Sequence, residues 1–181
     1  KVINNIKKIS FISPMYWECK GLDIFIGTLV ELNNSNNFFE IDIVGDGPDF
    51  VRLKKNIQNL NLNHKINYIG WINNMKEYLS KTDLLLVTSK YDSNPNLLLE
   101  AIGMKCIIFA SNIKAHRNIL NNEMLFEKNN SKDLAKKIIN TYNNTKVLKE
   151  YQNYINNIKD KLTFDWDKKV LQIFDKYKKY K

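Results

Sequence analysis

Two acids eight positions apart, Asp92 and Glu100, bracket a proline and an apolar run in the segment Asp92-Ser93-Asn94-Pro95-Asn96-Leu97-Leu98-Leu99-Glu100-Ala101. Pro95 suits the first turn of a helix, so Asp92 falls in the preceding loop and Glu100 about a turn and a half inside the helix. By i±3 and i±4 spacing, Glu100 shares a face with Asn96, Leu97, Gly103 and Met104. A carboxylate beside three leucines costs free energy if it is buried without partners. A ribose, whose two vicinal hydroxyls can donate to one carboxylate, would satisfy it. The same helix would aim unpaired N–H groups and the positive end of its dipole at the loop, which suits a phosphate. On spacing alone, a Glu100 that caps backbone or faces water is the competing reading. A second loop, Gly45-Asp46-Gly47-Pro48, combines glycines that allow a tight turn and close approach of a ligand with a proline that can open a helix. A turn with no ligand would use the same residues.

The elements that must position these loops alternate between two periods. Lys8 to Ser13 reads as a strand, and Leu22, Phe25, Ile26, Leu29 and Leu32 follow at helical spacing. Phe38 to Val44 alternates like a strand, and Phe50, Leu53, Ile57 and Leu60 return to the helical period. Ile66 to Ile69 and Leu84 to Val87 are further runs of strand length, the second nearly continuous, as in a strand buried on both faces. Pro95 to Met104 is a helix, Ile107 to Ala110 a strand, and Leu134 to Tyr142 an amphipathic helix with Ser131 as its candidate N-cap. This pattern predicts an α/β fold: one doubly wound parallel sheet in a single domain 1–181, with an α/β core over 1–145 and a helical C-terminal tail over 146–181. In such a sheet ligands bind outside the carboxyl ends of the strands, which here means the loops after Ser13, Val44, Ile69, Val87 and Ala110.

Composition narrows the classes. The chain has 181 residues, 44% hydrophobic and 26% charged, enough for a proper core and unlike a disordered chain. Neither a membrane-spanning stretch nor a charged-then-apolar leader is visible, which reads as a soluble protein. It starts at Lys1 rather than Met and reads as a piece of something longer. With 28 Lys and Arg against 19 Asp and Glu, the net charge is +9, which attracts anions. Only Arg52 and Arg117 are arginines, so a reader of base edges is disfavoured and no nucleic-acid partner is expected. Cys19 and Cys106 are unpaired in motif, and His64 and His116 have no neighbours at metal-ligand spacing. Reduced thiols and no structural metal follow. Asp165 and Asp167 stand as Asp-x-Asp, better read as the acidic first turn of a helix than as a metal site.

Five segments in order, Cys19-Lys20-Gly21-Leu22-Asp23, Ile43-Val44-Gly45-Asp46-Gly47-Pro48, Tyr68-Ile69-Gly70, Ser89, and Asp92 to Ala101, resemble the donor-binding, C-terminal domain of family 4 glycosyltransferases (glycosyl transferases group 1) of the GT-B fold. The resemblance spans about residues 8–145, and Phe164-Asp165-Trp166 resembles the aromatic stretch before the family's last helix. It implies a Rossmann-like half of a GT-B fold that binds a nucleotide diphosphate sugar, UDP- or GDP-linked, with no separate cofactor and no metal. Carried over, Lys20 would hold the diphosphate and Glu100 the ribose hydroxyls. Asp92 would stand beside the transferred sugar, one methylene shorter than the family's Glu. Asn94, Pro95, Asn96 and Leu97 would approach the sugar and phosphates. Gly70, Trp71 and Ile72 would flank the base, and Gly45 and Gly47 would line the cleft floor. Lys20 and Asp92 would be the catalytic pair.

There are departures. The arginine that usually shares the phosphates falls at Met15, and Ser93 and Asn94 replace a Gly and an aromatic residue. Lys105 and Ile107 replace a Gly and a Pro, and Asn112 to Arg117 replaces a Gly-Gly loop, with Lys114 or Arg117 available as a substitute cation. The implied reaction is retaining transfer of a sugar, as in bacterial surface polysaccharide or glycolipid synthesis, in the cytoplasm or at the inner face of the membrane. The N-terminal acceptor domain is absent from these residues, so the chain alone would bind donor without turnover. A catalytically silent partner protein or a sugar-nucleotide epimerase of the same fold are the alternatives. From Lys146 onward 10 lysines stand against 5 acids, and with the stripe Trp166, Val170, Ile173, Phe174 and Tyr177 they could contact an anionic membrane or cover the chain's own sheet.

Overall fold

A computed structural model of the chain describes residues 2–35 and 37–162. The Trp166 to Tyr177 stripe, Phe164 and the Asp165/Asp167 pair lie outside these residues. Six strands, β1 (Lys8–Ile12), β2 (Glu40–Val44), β3 (Lys65–Gly70), β4 (Leu84–Val87), β5 (Ile107–Ser111) and β6 (Leu125–Phe126), form one wholly parallel sheet in the order β3-β2-β1-β4-β5-β6. This is the doubly wound order, whose switch point falls between β1 and β4. Each strand of a βαβ crossover needs a covering helix. These are α2 (Leu22–Asn33), α3 (Phe50–Gln58), α4 (Met75–Lys81) and α5 (Asn96–Gly103), joined by the short α1 (Trp17–Lys20) and α6 (Lys114–Arg117) and by α7 (Ser131–Asn143) and α8 (Thr145–Leu162). Right-handed crossovers put α2 and α3 on one face and α4 and α5 on the other.

The central strands are buried on both faces, as the unbroken apolar run of β4 requires: Leu84, Leu85 and Leu86 are fully buried and Val87 nearly so. Phe11 of β1 stacks on Phe25 of α2 with ring centroids 4.1 Å apart. One acid enters this layer. Asp42 of β2 accepts hydrogen bonds from the Tyr78 hydroxyl and from Asn67 (2.8 Å) and lies 2.9 Å from Lys8 Nζ. Burial alone would raise its pKa. The three donors reverse that and hold the carboxyl below its usual range. The edge strand β3 bulges at Ile69, where the register with β2 slips between Ile43 and Val44.

Several local expectations need correction. Phe38 and Phe39 precede β2 instead of opening it: Phe38 is exposed, while Phe39 donates its N–H to His64 Nδ1 at 3.4 Å and packs edge-on to that ring. Helix α3 ends before Leu60. The cap of α7 is Asn130, whose side chain accepts from Asp133 N at 3.0 Å, and Ser131 is the first helical residue. Lys105 adopts φ 58°, the left-handed conformation that suits a glycine. Helix α8 packs back on the core through Leu148, Ile155 and Ile158, and Gln152 donates to the Ile3 carbonyl. Among the described residues no helix is long and apolar enough to cross a membrane.

Candidate functional site

A cavity of about 150 Å³ opens at the switch point. Its walls are Ser13 and Pro14 after β1, Lys20 on α1, Thr88, Ser89 and Asp92 after β4, and Asn94 to Leu98 at the start of α5. Lys20 reaches it because α1 is only one turn long and ends on Gly21 at φ 60°, ψ 45°. That turn is clamped to the β4 loop. The Thr88 hydroxyl donates to the Lys20 carbonyl at 2.7 Å and Lys90 N to the Cys19 carbonyl at 2.9 Å. A side chain on Gly21 would put its Cβ 2.2 Å from the Thr88 carbonyl oxygen. Lys20 Nζ then lies 3.8 Å from Asp92 Oδ2, with 22% and 17% of the two side chains exposed. Asp92 Oδ1 also accepts from Asn94 N at 3.2 Å, which fixes the carboxylate beside the helix start.

Lys20, Asp92, Asn94, Pro95, Asn96 and Leu97 therefore meet in one place, although Lys20 and Asp92 are distant in sequence. Glu100 lies four residues beyond Asn96, the first residue of α5, about 6 Å at the α-helical rise. It is exposed and lines a separate depression with Met75, Lys76 and Met104. Gly45, Gly47, Gly70, Trp71 and Ile72 do not line the first cavity. Gly45 and Gly47 instead lock the loops after β1 and β2 together: a Cβ on Gly45 would lie 2.0 Å from the Ser13 carbonyl oxygen, and one on Gly47 2.9 Å from that of Met15. Gly45 N donates to the Gly70 carbonyl at 2.8 Å, so β3 delivers the Gly70 loop next to this junction, with Trp71 76% exposed and Ile72 half-buried. The Met15 side chain is fully buried against Gly45. Lys114 and Arg117 line a second, wider cavity together with Lys20 and Asp92.

Some contributors had no signature in the sequence. Ser13, Pro14 and Thr88 lie in loops that the sheet pattern singles out, but nothing in their types marks them, while Ser89 beside them belongs to the segments that carry the resemblance. His116, on α6 just after β5, is fully buried. Its Nδ1 lies 2.8 Å from the Ser111 carbonyl, which can only accept, so Nδ1 carries the hydrogen. Burial pulls its pKa below the usual value and nearby Lys20 adds to this, against the Ser111 bond and Asp92. The ring is thus neutral at pH 7. Chemically, the first cavity offers one cation, one carboxylate and a helix N-terminus, an arrangement fit to hold an anion that also carries hydroxyls.

Comparison with known proteins bears on the family and the fold. The family model of glycosyl transferases group 1 matches residues 2–161. The chain is 36% identical over 67 residues to the N-acetyl-alpha-D-glucosaminyl L-malate synthase of Bacillus anthracis, covering 36% of this chain and 18% of that protein. It is 28% identical over 138 residues to the capsular polysaccharide biosynthesis glycosyltransferase CapH of Staphylococcus aureus, covering 66% and 38%. Among solved structures, a mutant of Staphylococcus aureus TarM in complex with Fondaparinux, alpha-GlcNAc-glycerol and UDP superposes with a TM-score of 0.78 at 25% identity, over 87% of this chain and 33% of that one. The chain thus spans well under half the length of these relatives. Six parallel strands in doubly wound order are the half-fold that GT-B glycosyltransferases share, and this chain belongs to the glycosyl transferases group 1 family.

Proposed function

We propose that the chain is the donor-binding half of a retaining glycosyltransferase that moves a hexosyl group from a nucleotide diphosphate sugar to an acceptor hydroxyl. The observation that carries this reading is the cavity at the switch point, where Lys20, Asp92 and the start of α5 converge. Lys20 and the helix N-terminus would take the diphosphate, Asp92 the hydroxyls of the sugar, and Glu100 the ribose, with the Gly70 to Ile72 loop beside the base. In the reaction the bond from the anomeric carbon to the diphosphate oxygen breaks and one to the acceptor oxygen forms. The acceptor's proton leaves with the diphosphate or to solvent. Catalysis would be positioning together with stabilisation of the leaving group's charge, a role this reading gives to the chain itself and to no metal or cofactor. An N-terminal acceptor half would complete the cleft, so this segment alone would bind without turning over. CapH, a capsular polysaccharide enzyme by name, supports a surface-polymer product made on the cytoplasmic side, with the basic tail near the membrane.

The test is calorimetric titration with UDP, GDP and their sugar conjugates, repeated with Glu100→Ala. The expected result is selective binding of one nucleotide, weakened at least about tenfold in the variant, since two hydroxyl bonds to a charged group are removed. A folded full-length protein that binds none of them refutes the reading. That outcome would instead favour the catalytically silent partner, for which the buried Met15 speaks: it leaves Lys20 as the one cation lining the first cavity.

A further inference from the structure

The wall of the first cavity that carries Asp92 begins where the β4–β5 ladder ends, at Val87 opposite Ala110. Beyond that pair a side chain takes over. The hydroxyl of Ser111, the last residue of β5, donates to the Ser89 carbonyl. From the other side α1 grips the same segment, through the Thr88 hydroxyl on the Lys20 carbonyl and Lys90 N on the Cys19 carbonyl. Thr88, Ser89 and Lys90 are thus held alternately by α1 and by β5, and Asp92 follows three residues after Ser89.

A serine hydroxyl turns about its C–O bond, so its hydrogen needs direction. His116 supplies it. The ring Nδ1 lies 2.8 Å from the Ser111 carbonyl and 3.3 Å from the Ser111 hydroxyl oxygen. Because the carbonyl can only accept, Nδ1 carries the hydrogen and presents it to both oxygens. A hydroxyl oxygen that faces an N–H keeps its own hydrogen for Ser89. In the other tautomer Nδ1 would draw that hydrogen onto itself and release the Ser89 carbonyl. Ser111 and His116 are fully buried and line neither cavity, and the ring is neutral. A change in either therefore removes no group that a ligand touches and no charge. What it alters is where the wall stands.

We propose that His116, acting through Ser111, is a positioning residue of the first cavity: it fixes the Ser89 to Asp92 wall against α1, at the separation where Lys20 meets Asp92. The inference rests on the donor reading of that cavity and extends it to two residues out of the donor's reach.

The test titrates UDP and GDP into the full-length protein and its variants, at a temperature where melts show each to be folded. Asparagine and glutamine separate hydrogen bonding from the filling of space. The Asn amide nitrogen overlies Nδ1 and can still donate to Ser111, whereas that of Gln reaches the place of Nε2, although Gln is nearer to His in volume. The expected result is that Ser111→Ala and His116→Gln each weaken the nucleotide that the wild type binds by about tenfold, the worth of one buried hydrogen bond. His116→Asn should stay within about threefold of wild type. Ser111→Ala combined with His116→Gln should be no weaker than either alone, because the two act in series. Ile155→Val, a core change on α8 of comparable cost, should bind as wild type. The proposal is overturned if Ser111→Ala binds as wild type, if Gln serves better than Asn, if the losses add, or if Ile155→Val weakens binding as much. A folded wild type that binds neither nucleotide refutes the donor reading instead, and leaves His116 nothing to position.

Discussion

Three glycine-to-alanine substitutions separate the steric requirement that seats Lys20 from ordinary backbone preference. Gly21 combines φ +60° with a Cβ position 2.2 Å from the Thr88 carbonyl oxygen, where ordinary contact begins at 3.4 Å. Left-handed φ costs a residue with a Cβ about 1–2 kcal/mol. Relieving the overlap parts α1 from the β4 loop by about 1 Å, across a seam bridged by the Thr88–Lys20 and Lys90–Cys19 hydrogen bonds, each worth about 1 kcal/mol. The sum is about 3–4 kcal/mol, or a fall of roughly 10 °C in Tm for a domain of this size. Gly70 has φ +73° but nothing within 4 Å, so Gly70→Ala should cost only the backbone term, about 1 kcal/mol. Gly103, near the end of α5, has ordinary φ and open space around it, and Ala there should stabilise by about 0.5–1 kcal/mol. Thermal melts followed by circular dichroism give the order Gly103→Ala above wild type, then Gly70→Ala, then Gly21→Ala. A Gly21→Ala protein that melts within about 2 °C of wild type, or above Gly70→Ala, would refute the reasoning.

Two further outcomes follow from the structure. His64 and His116 are both buried and held below the usual imidazole pKa by desolvation, which outweighs the backbone bonds to Leu32 and Ser111; the unfolded chain protonates near ~6.5 while the folded one does not, so Tm should fall from pH 7.5 to 5.5, and a flat or rising profile would count against it. Asn130→Ala should cost about 1 kcal/mol by removing the cap on α7, with Ser131→Ala costing less than half as much in urea denaturation; the reverse order would restore Ser131 as the cap.

The parallel sheet was legible because Leu84 to Val87 is an unbroken apolar run and because strand and helix periods alternate along most of the chain. What stayed hidden is short. Helix α4 buries a single residue, Leu79, and β6 has two residues, too few for any period to show. Asn130 and Ser131 are adjacent cap formers, and only the side-chain geometry chooses between them. The meeting of Lys20 with Asp92 came from family resemblance, since no local pattern relates residues so far apart. The loops after β4 and β5 were flagged by sheet topology, but the fixed tautomer of His116 was not, because its partner is a backbone carbonyl that residue types do not reveal. Gly45 and Gly47 had a legible need for flexibility with two explanations; the structure shows their close packing on Ser13 and Met15.

The two borders of the sheet are poor templates for another strand. On one side β3 breaks its ladder at the Ile69 bulge and opens with Lys65, paired to Glu40 at 2.9 Å; on the other, β6 offers two residues. A kinked, charged border and a very short one both resist lateral hydrogen bonding by a second chain. Growth of the sheet sideways, the route by which exposed parallel strands stack into fibres, is thus blocked at both ends.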